Sequence, residues 1–103
     1  MTVKLDERAV EALHELIPKH MVDAVFNYFE KGWRPGSFLS AVLANDLVGA
    51  VMHADHINQK YLKEYVSWLY WHAPGRANGA WGSRNAVEEW ISNAAAEREL
   101  ADS

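Results

Sequence analysis

Between Asp6 and Ile91 the large apolar residues recur three and four positions apart, and no stretch alternates apolar with polar side chains as a half-buried strand does. That spacing predicts an all-α fold: a compact bundle of about five to six short helices with no sheet. The chain has 103 residues, the size of a single helical domain, with a core expected over about residues 6–92. It has no cysteine, so no disulfide framework, thiolate zinc site or thiol chemistry is open to it. A modest core alone must stabilise a chain this short, and self-association would add to that stability. No apolar run approaches the roughly 18 residues of a membrane span, and the first residues lack a signal peptide's apolar stretch. The expected location is the cytoplasm, away from any membrane.

Local signals divide the chain. Val10, Leu13 and Ile17 define a first helix over Asp6 to Ile17, with Asp6 and Glu7 favourable at the positive end of its dipole. Pro18 ends it or opens the next helix. Val22, Val25, Phe26 and Phe29 form a second stripe, closed by Gly32 as a left-handed C-cap. Pro35-Gly36 marks a turn and Ser37 is a cap for a short third helix through Phe38, Leu39, Val42 and Leu43. Asp46 can cap a fourth carrying Leu47, Val48, Val51 and Met52, either separate from the third or one bent helix with it. Asp55 opens the longest element, on which Ile57, Tyr61, Tyr65, Trp68 and Leu69 share a face. Ala73-Pro74-Gly75 stops it, and Gly75 to Ala80 is too rich in small residues to be regular structure. Ser83 caps a last helix through Val87, Trp90 and Ile91, and beyond Asn93 the chain either extends that helix into solvent or frays.

Charge narrows the function. Ten Lys and Arg against fourteen Asp and Glu give a net charge of -4, which argues against general nucleic-acid binding, where cations on phosphates supply the affinity. Two windows are nevertheless free of acids: Glu30 to Asp46, which holds Lys31 and Arg34, and Glu64 to Glu88, which holds Arg76 and Arg84. Within each window lies a loop that holds a cation, Arg34 or Arg84, and a tryptophan, Trp33 or Trp81, and that ends in a serine, Ser37 or Ser83, opening a helix. Helix N-termini, guanidinium groups and flat aromatic faces together suit a planar anion such as a nucleotide. The ligand-binding candidates are Arg34, Ser37, Asn45, Asp46, Asp55, Asn58, Trp81, Ser83 and Arg84. The bland alternative is that the serines only cap helices and the loop tryptophans only plug the edge of a small core.

Other chemistries have weaker signals. His53-Ala54-Asp55-His56, with Asp46 and His72, offers metal-ligand residue types but no recognised zinc spacing, and Asp55 is explained equally well as a cap. No P-loop or dinucleotide fingerprint is present, and Gly82-Ser83 lacks the flanks of a nucleophile elbow. Neither a catalytic residue nor a cofactor is indicated. Five tryptophans are too many for one small interior; Trp33 and Trp71 are candidate interface anchors, and a homo-oligomer is expected.

The run Gly32-Trp33-Arg34-Pro35-Gly36-Ser37-Phe38-Leu39-Ser40-Ala41-Val42-Leu43-Ala44-Asn45-Asp46-Leu47, with Ala54-Asp55, Asn58, Trp68-Leu69-Tyr70, Ala73-Pro74 and Trp81-Gly82-Ser83, resembles a group of small uncharacterised proteins encoded by bacteriophages and prophages. The similarity spans roughly Ile17 to Ile91. His53, where arginine or another polar residue is expected, and the long Gly-Arg-Ala-Asn-Gly-Ala insertion depart from the pattern. The resemblance implies a phage origin and action inside a bacterial cell, and it carries no established activity. Three readings follow. The first is an oligomeric, non-enzymatic accessory module, possible in counter-defence, that binds an anionic ligand or a host protein. The second is a structural or morphogenetic phage component, and the third a small enzyme acting on an anionic substrate through Asp46 or Asp55.

Overall fold

The computed structural model describes residues 4–74 and 79–102, and among these there are seven α-helices and no strand. They are α1 (Glu7–Leu16), α2 (Val22–Lys31), α3 (Ser37–Leu43), α4 (Leu47–His53), α5 (His56–Lys60), α6 (Leu62–Trp71) and α7 (Arg84–Asp102), with one 3₁₀ turn at Lys19–Met21. The all-α class is as expected.

Most boundaries are set by short-range bonds. Asp6 accepts the Ala9 N–H at 2.7 Å, Asp46 the Gly49 N–H at 3.0 Å and Asp55 the Asn58 N–H at 2.7 Å, so each carboxylate satisfies a donor that the helix itself leaves open. The Ser83 hydroxyl accepts from Ala86 N–H at 3.1 Å and caps α7. Gly32, at φ 69°, closes α2 in the left-handed conformation, its N–H reaching the Tyr28 carbonyl at 3.0 Å. Ser37 departs from expectation. It is the first residue of α3, Gly36 takes the cap position, and no side chain caps that helix. Ser40 instead donates its hydroxyl to the Pro35 carbonyl at 3.2 Å.

The third and fourth apolar runs are two helices. Asn45, at φ 61°, reverses the chain between them, and the Asp46 N–H bonds the Ala41 carbonyl at 2.9 Å. The expected long helix from Asp55 is also two, broken at Tyr61. Ile57 and Tyr61, placed on its buried face by their apolarity, are exposed, while Asn58 is buried. The physical reason is the inward stripe of buried Asn58, Tyr65 and Leu69 with half-buried Leu62, in which the Tyr65 hydroxyl donates to Asn58 Oδ1 at 2.6 Å. A satisfied amide thus occupies a place that hydrophobicity alone would give to isoleucine.

The core joins α1, α2, α3, α6 and α7. Phe29 packs against Tyr28 and Trp68, with ring centroids 5.2 and 5.5 Å away. Both interior indoles find acceptors: Trp68 donates to the Ala9 carbonyl and Trp90 to the Tyr28 carbonyl, each at 2.9 Å. Trp81 is half-buried, and Trp33 and Trp71 are exposed. Past Asn93, α7 remains helical to Asp102. Ala94 is buried there, and Arg98 donates to the Lys31 carbonyl at 2.6 Å. Of the expected loop, Gly75 to Asn78, Arg76 included, lie outside the described residues, while Ala80 is buried and its carbonyl accepts the Tyr28 hydroxyl.

Candidate functional site

The start of α7 is tied to the end of α3 by the Gly82 N–H on the Leu43 carbonyl, at 2.7 Å. This one bond carries Arg84 to the α3–α4 corner, facing the loop that holds Arg34. The result is an open polar recess of about 310 Å³ lined by Arg34, Pro35, Ser37, Ser40, Ala41, Asp46, His53 and Arg84. Arginines from opposite halves of the sequence therefore meet within one subunit.

Both guanidinium groups have carboxylate partners. Arg34 grips Glu88 with two nitrogens, Nη1 to Oε1 at 3.1 Å and Nη2 to Oε2 at 2.8 Å, the fork geometry that arginine favours. Arg84 Nη2 lies 3.4 Å from Asp46 Oδ2, whose other oxygen caps α4. The hydrogen bond from Arg34 holds the Glu88 carboxyl below the usual range; desolvation opposes it, and the charges of Arg34 and Arg84 add to the lowering. Glu88 in turn raises the Arg34 guanidinium above its ordinary value. All four groups are substantially exposed, so water screens the pairs. The recess is charge-balanced, with two cations that solvent or a ligand can reach.

Arg34, Ser37, Asp46 and Arg84 are thus gathered at one place. Asn45 lines a neighbouring apolar hollow between α3, α4 and α6. Trp81 packs against the core, and Ser83 is spent as a cap. Asp55 and Asn58 stand elsewhere: Asp55 lies 3.2 Å from His20 Nε2, and Asn58 is turned inward to Tyr65. The Asn58 N–H is the main reason the Asp55 carboxyl sits below its ordinary value, and His20 contributes further. His53 and His56 do not form a metal centre, since no three His, Asp or Glu side chains converge among the described residues. Ser40 and Glu88 were not singled out by sequence reasoning. Glu88 had a legible signal, its position four residues after Arg84 on the same helix face.

No protein-family model matches the chain, and neither a curated protein nor a solved structure matches it. Among the described residues no helix is long and apolar enough to cross a membrane.

Proposed function

We propose that this chain is a non-enzymatic accessory binding protein that holds an anionic, nucleotide-like ligand in the Arg34–Arg84 recess. The sequence resemblance to phage and prophage proteins implies the interior of a bacterial cell as its place of action, and counter-defence is the role this reading assigns it. One observation carries the reading: two guanidinium groups converge on a concave polar surface that also offers the Ser37 and Ser40 hydroxyls and the His53 ring. Concavity with a few converging polar groups is what a small-molecule site requires.

Glu88 and Asp46 act as placeholders. An incoming phosphate or carboxylate takes the Arg34 fork from Glu88, exchanging one charge-assisted pair for another, and Arg84 supplies the second contact. Binding is then weakened by salt, because exposed charges are screened within about 10 Å at 0.1 M.

Calorimetric titration with linear and cyclic nucleotides and with inorganic phosphate tests this. Arg34→Ala or Arg84→Ala is expected to weaken binding about tenfold or more, the value of one hydrogen bond to a charged group. Glu88→Gln is expected to tighten it, because it releases Arg34. Absence of binding by every anion, or binding indifferent to both arginines, overturns the assignment and leaves a host protein as the ligand to seek.

A further inference from the structure

His53 is the last residue of α4 and follows Asp46 by seven positions, two helical turns, so both stand on one side of that helix and both line the recess. Gly49 and Ala50, which lie between them on that side, are too small to divide the space. The chain reverses at Asn45, and α3 and α4 pack together at equal length. The end of α4 therefore returns to the start of α3, where Ser37 and the Arg34 loop lie. Among the described residues the His53 ring and the Ser37 hydroxyl make no hydrogen bond, whereas His20 already has Asp55 as a partner. We infer that the recess takes the dianion of a phosphate monoester, with His53 as its third cationic contact, and that binding takes up a proton on the His53 ring. This rests on the recess being an anion site.

Charge balance gives the reason for the proton. Arg34 and Arg84 are already matched by Glu88 and Asp46. An entering dianion leaves two negative charges uncompensated, and an imidazolium at position 53 restores one of them. Histidine is the side chain whose charge changes between about pH 5 and 8, and an anion held against the ring favours its charged form. The ring shares the recess with Arg34 from the loop before α3, with Asp46 from its own helix and with Arg84 from α7; Glu88 of α7 stands behind Arg34. Two cations and two acids thus oppose each other there, and α3 adds no titratable side chain. Asp55 and His56 follow in the chain, and Lys63 of α6 lines the separate apolar hollow. The ligand's own charge decides the balance.

The donors select the monoester. Arg34 presents two nitrogens in a fork, Arg84 one, and Ser37 and His53 one each. They come from four segments: the loop before α3, α3 itself, the end of α4 and the start of α7. A terminal phosphoryl group offers three oxygens to such a set. A diester offers two and must also bring both ester arms into about 310 Å³. That volume is small for a ligand site, enough for the terminal group while the single ester arm leaves toward solvent.

Calorimetric titration of the full chain with adenosine monophosphate, cyclic adenosine monophosphate and inorganic sulfate is the test, run at about pH 7.5 in buffers of different ionisation enthalpy. It reads affinity and proton uptake together. Sulfate keeps both charges across this range, so a proton taken up with it belongs to the protein. The monoester is expected to bind about tenfold more tightly than the cyclic diester. Monoester and sulfate should each bring a fraction of a proton, lost in His53→Gln and retained in His56→Gln. In His53→Gln the monoester should bind about threefold more weakly near pH 6.5 and equally well near pH 8.5. Both histidines are exposed, so neither substitution threatens the fold, and circular dichroism verifies that. The Cε1 proton of His53, assigned by its absence from the spectrum of His53→Gln, gives a direct NMR reading, and its titration midpoint should rise when sulfate is added. Anion binding without proton uptake, uptake that persists in His53→Gln, or a cyclic diester held as tightly as the monoester overturns this inference and leaves the recess an anion site. Absence of binding by all three overturns the recess reading and this inference with it.

Discussion

Tyr28 belongs at once to the core and to the support of the candidate site. Its ring is fully buried, its hydroxyl donates to the Ala80 carbonyl, and its own carbonyl accepts the Trp90 indole. It thereby fastens the segment leading into α7, and with it Arg84, to α2. Tyr28→Phe leaves the buried Ala80 carbonyl without this donor and is expected to cost about 1–3 kcal/mol, read from the urea midpoint at constant slope. The Tyr65–Asn58 pair provides a second check. Tyr65→Phe should be destabilising on its own, while Tyr65→Phe with Asn58→Leu should recover much of the loss, because removing both partners leaves no unsatisfied buried amide. If the double variant is no better than the single, the hydrogen bond is not what turns Asn58 inward.

At the scale of elements, α4 depends on its first residues. It is short, most of its large side chains are exposed, and Asp46 both caps it and meets Arg84. Gly49→Ala in an exposed helix ordinarily stabilises by about 1 kcal/mol. Here a Cβ at position 49 would lie 2.4 Å from Asp46 Oδ2 and 3.2 Å from the Ala41 Cβ, so the carboxylate must move away from its cap and its arginine. Gly49→Ala is therefore expected to lower the melting temperature, and to do so less in an Asp46→Ala background, where only the Ala41 contact remains. Additive effects in that double-mutant cycle would contradict it. The same scale shows where sequence reading succeeded and where it did not. The Asp46, Asp55 and Ser83 caps and the Gly32 terminus were legible because each bond closes within a few residues. The break at Tyr61 was not, because apolarity alone gives the buried place to Ile57, whereas the fold turns Asn58 inward onto the Tyr65 hydroxyl.

For the whole molecule, two pairs of groups bound the pH range of stability. Glu88 and Asp55 have carboxyls held below their ordinary values in the fold, so the unfolded chain binds protons more readily. Their stabilisation is complete above about pH 5 and is lost as pH falls through the lowered folded values. Both are solvent-exposed, so this acid limb is shallow, and Glu88→Gln should flatten it further. Tyr28 and Tyr65 behave in the opposite sense. Burial raises both phenols above the ordinary value near 10, so the fold favours the neutral form, and stability declines once pH rises past about 10. Melting temperature against pH should show a plateau between these limbs, and Tyr28→Phe should reduce the alkaline decline. An alkaline limb unchanged by that substitution would count against the buried phenol as its source.

What the amino-acid sequence determined by itself was the helical class, most helix ends, and the surplus of tryptophan over available interior. These follow from periodicity and from bonds between near neighbours, which need no knowledge of how the chain packs. Only the tertiary structure decided that Arg34 faces Glu88, that Arg84 reaches Asp46, that Asp55 and Asn58 lie outside the recess, and that the apolar side of α4 faces solvent. Those are relations between side chains distant in sequence. They arise because the Gly82–Leu43 bond and the shared core bring α7 to the end of α3, a juxtaposition that no local spacing encodes.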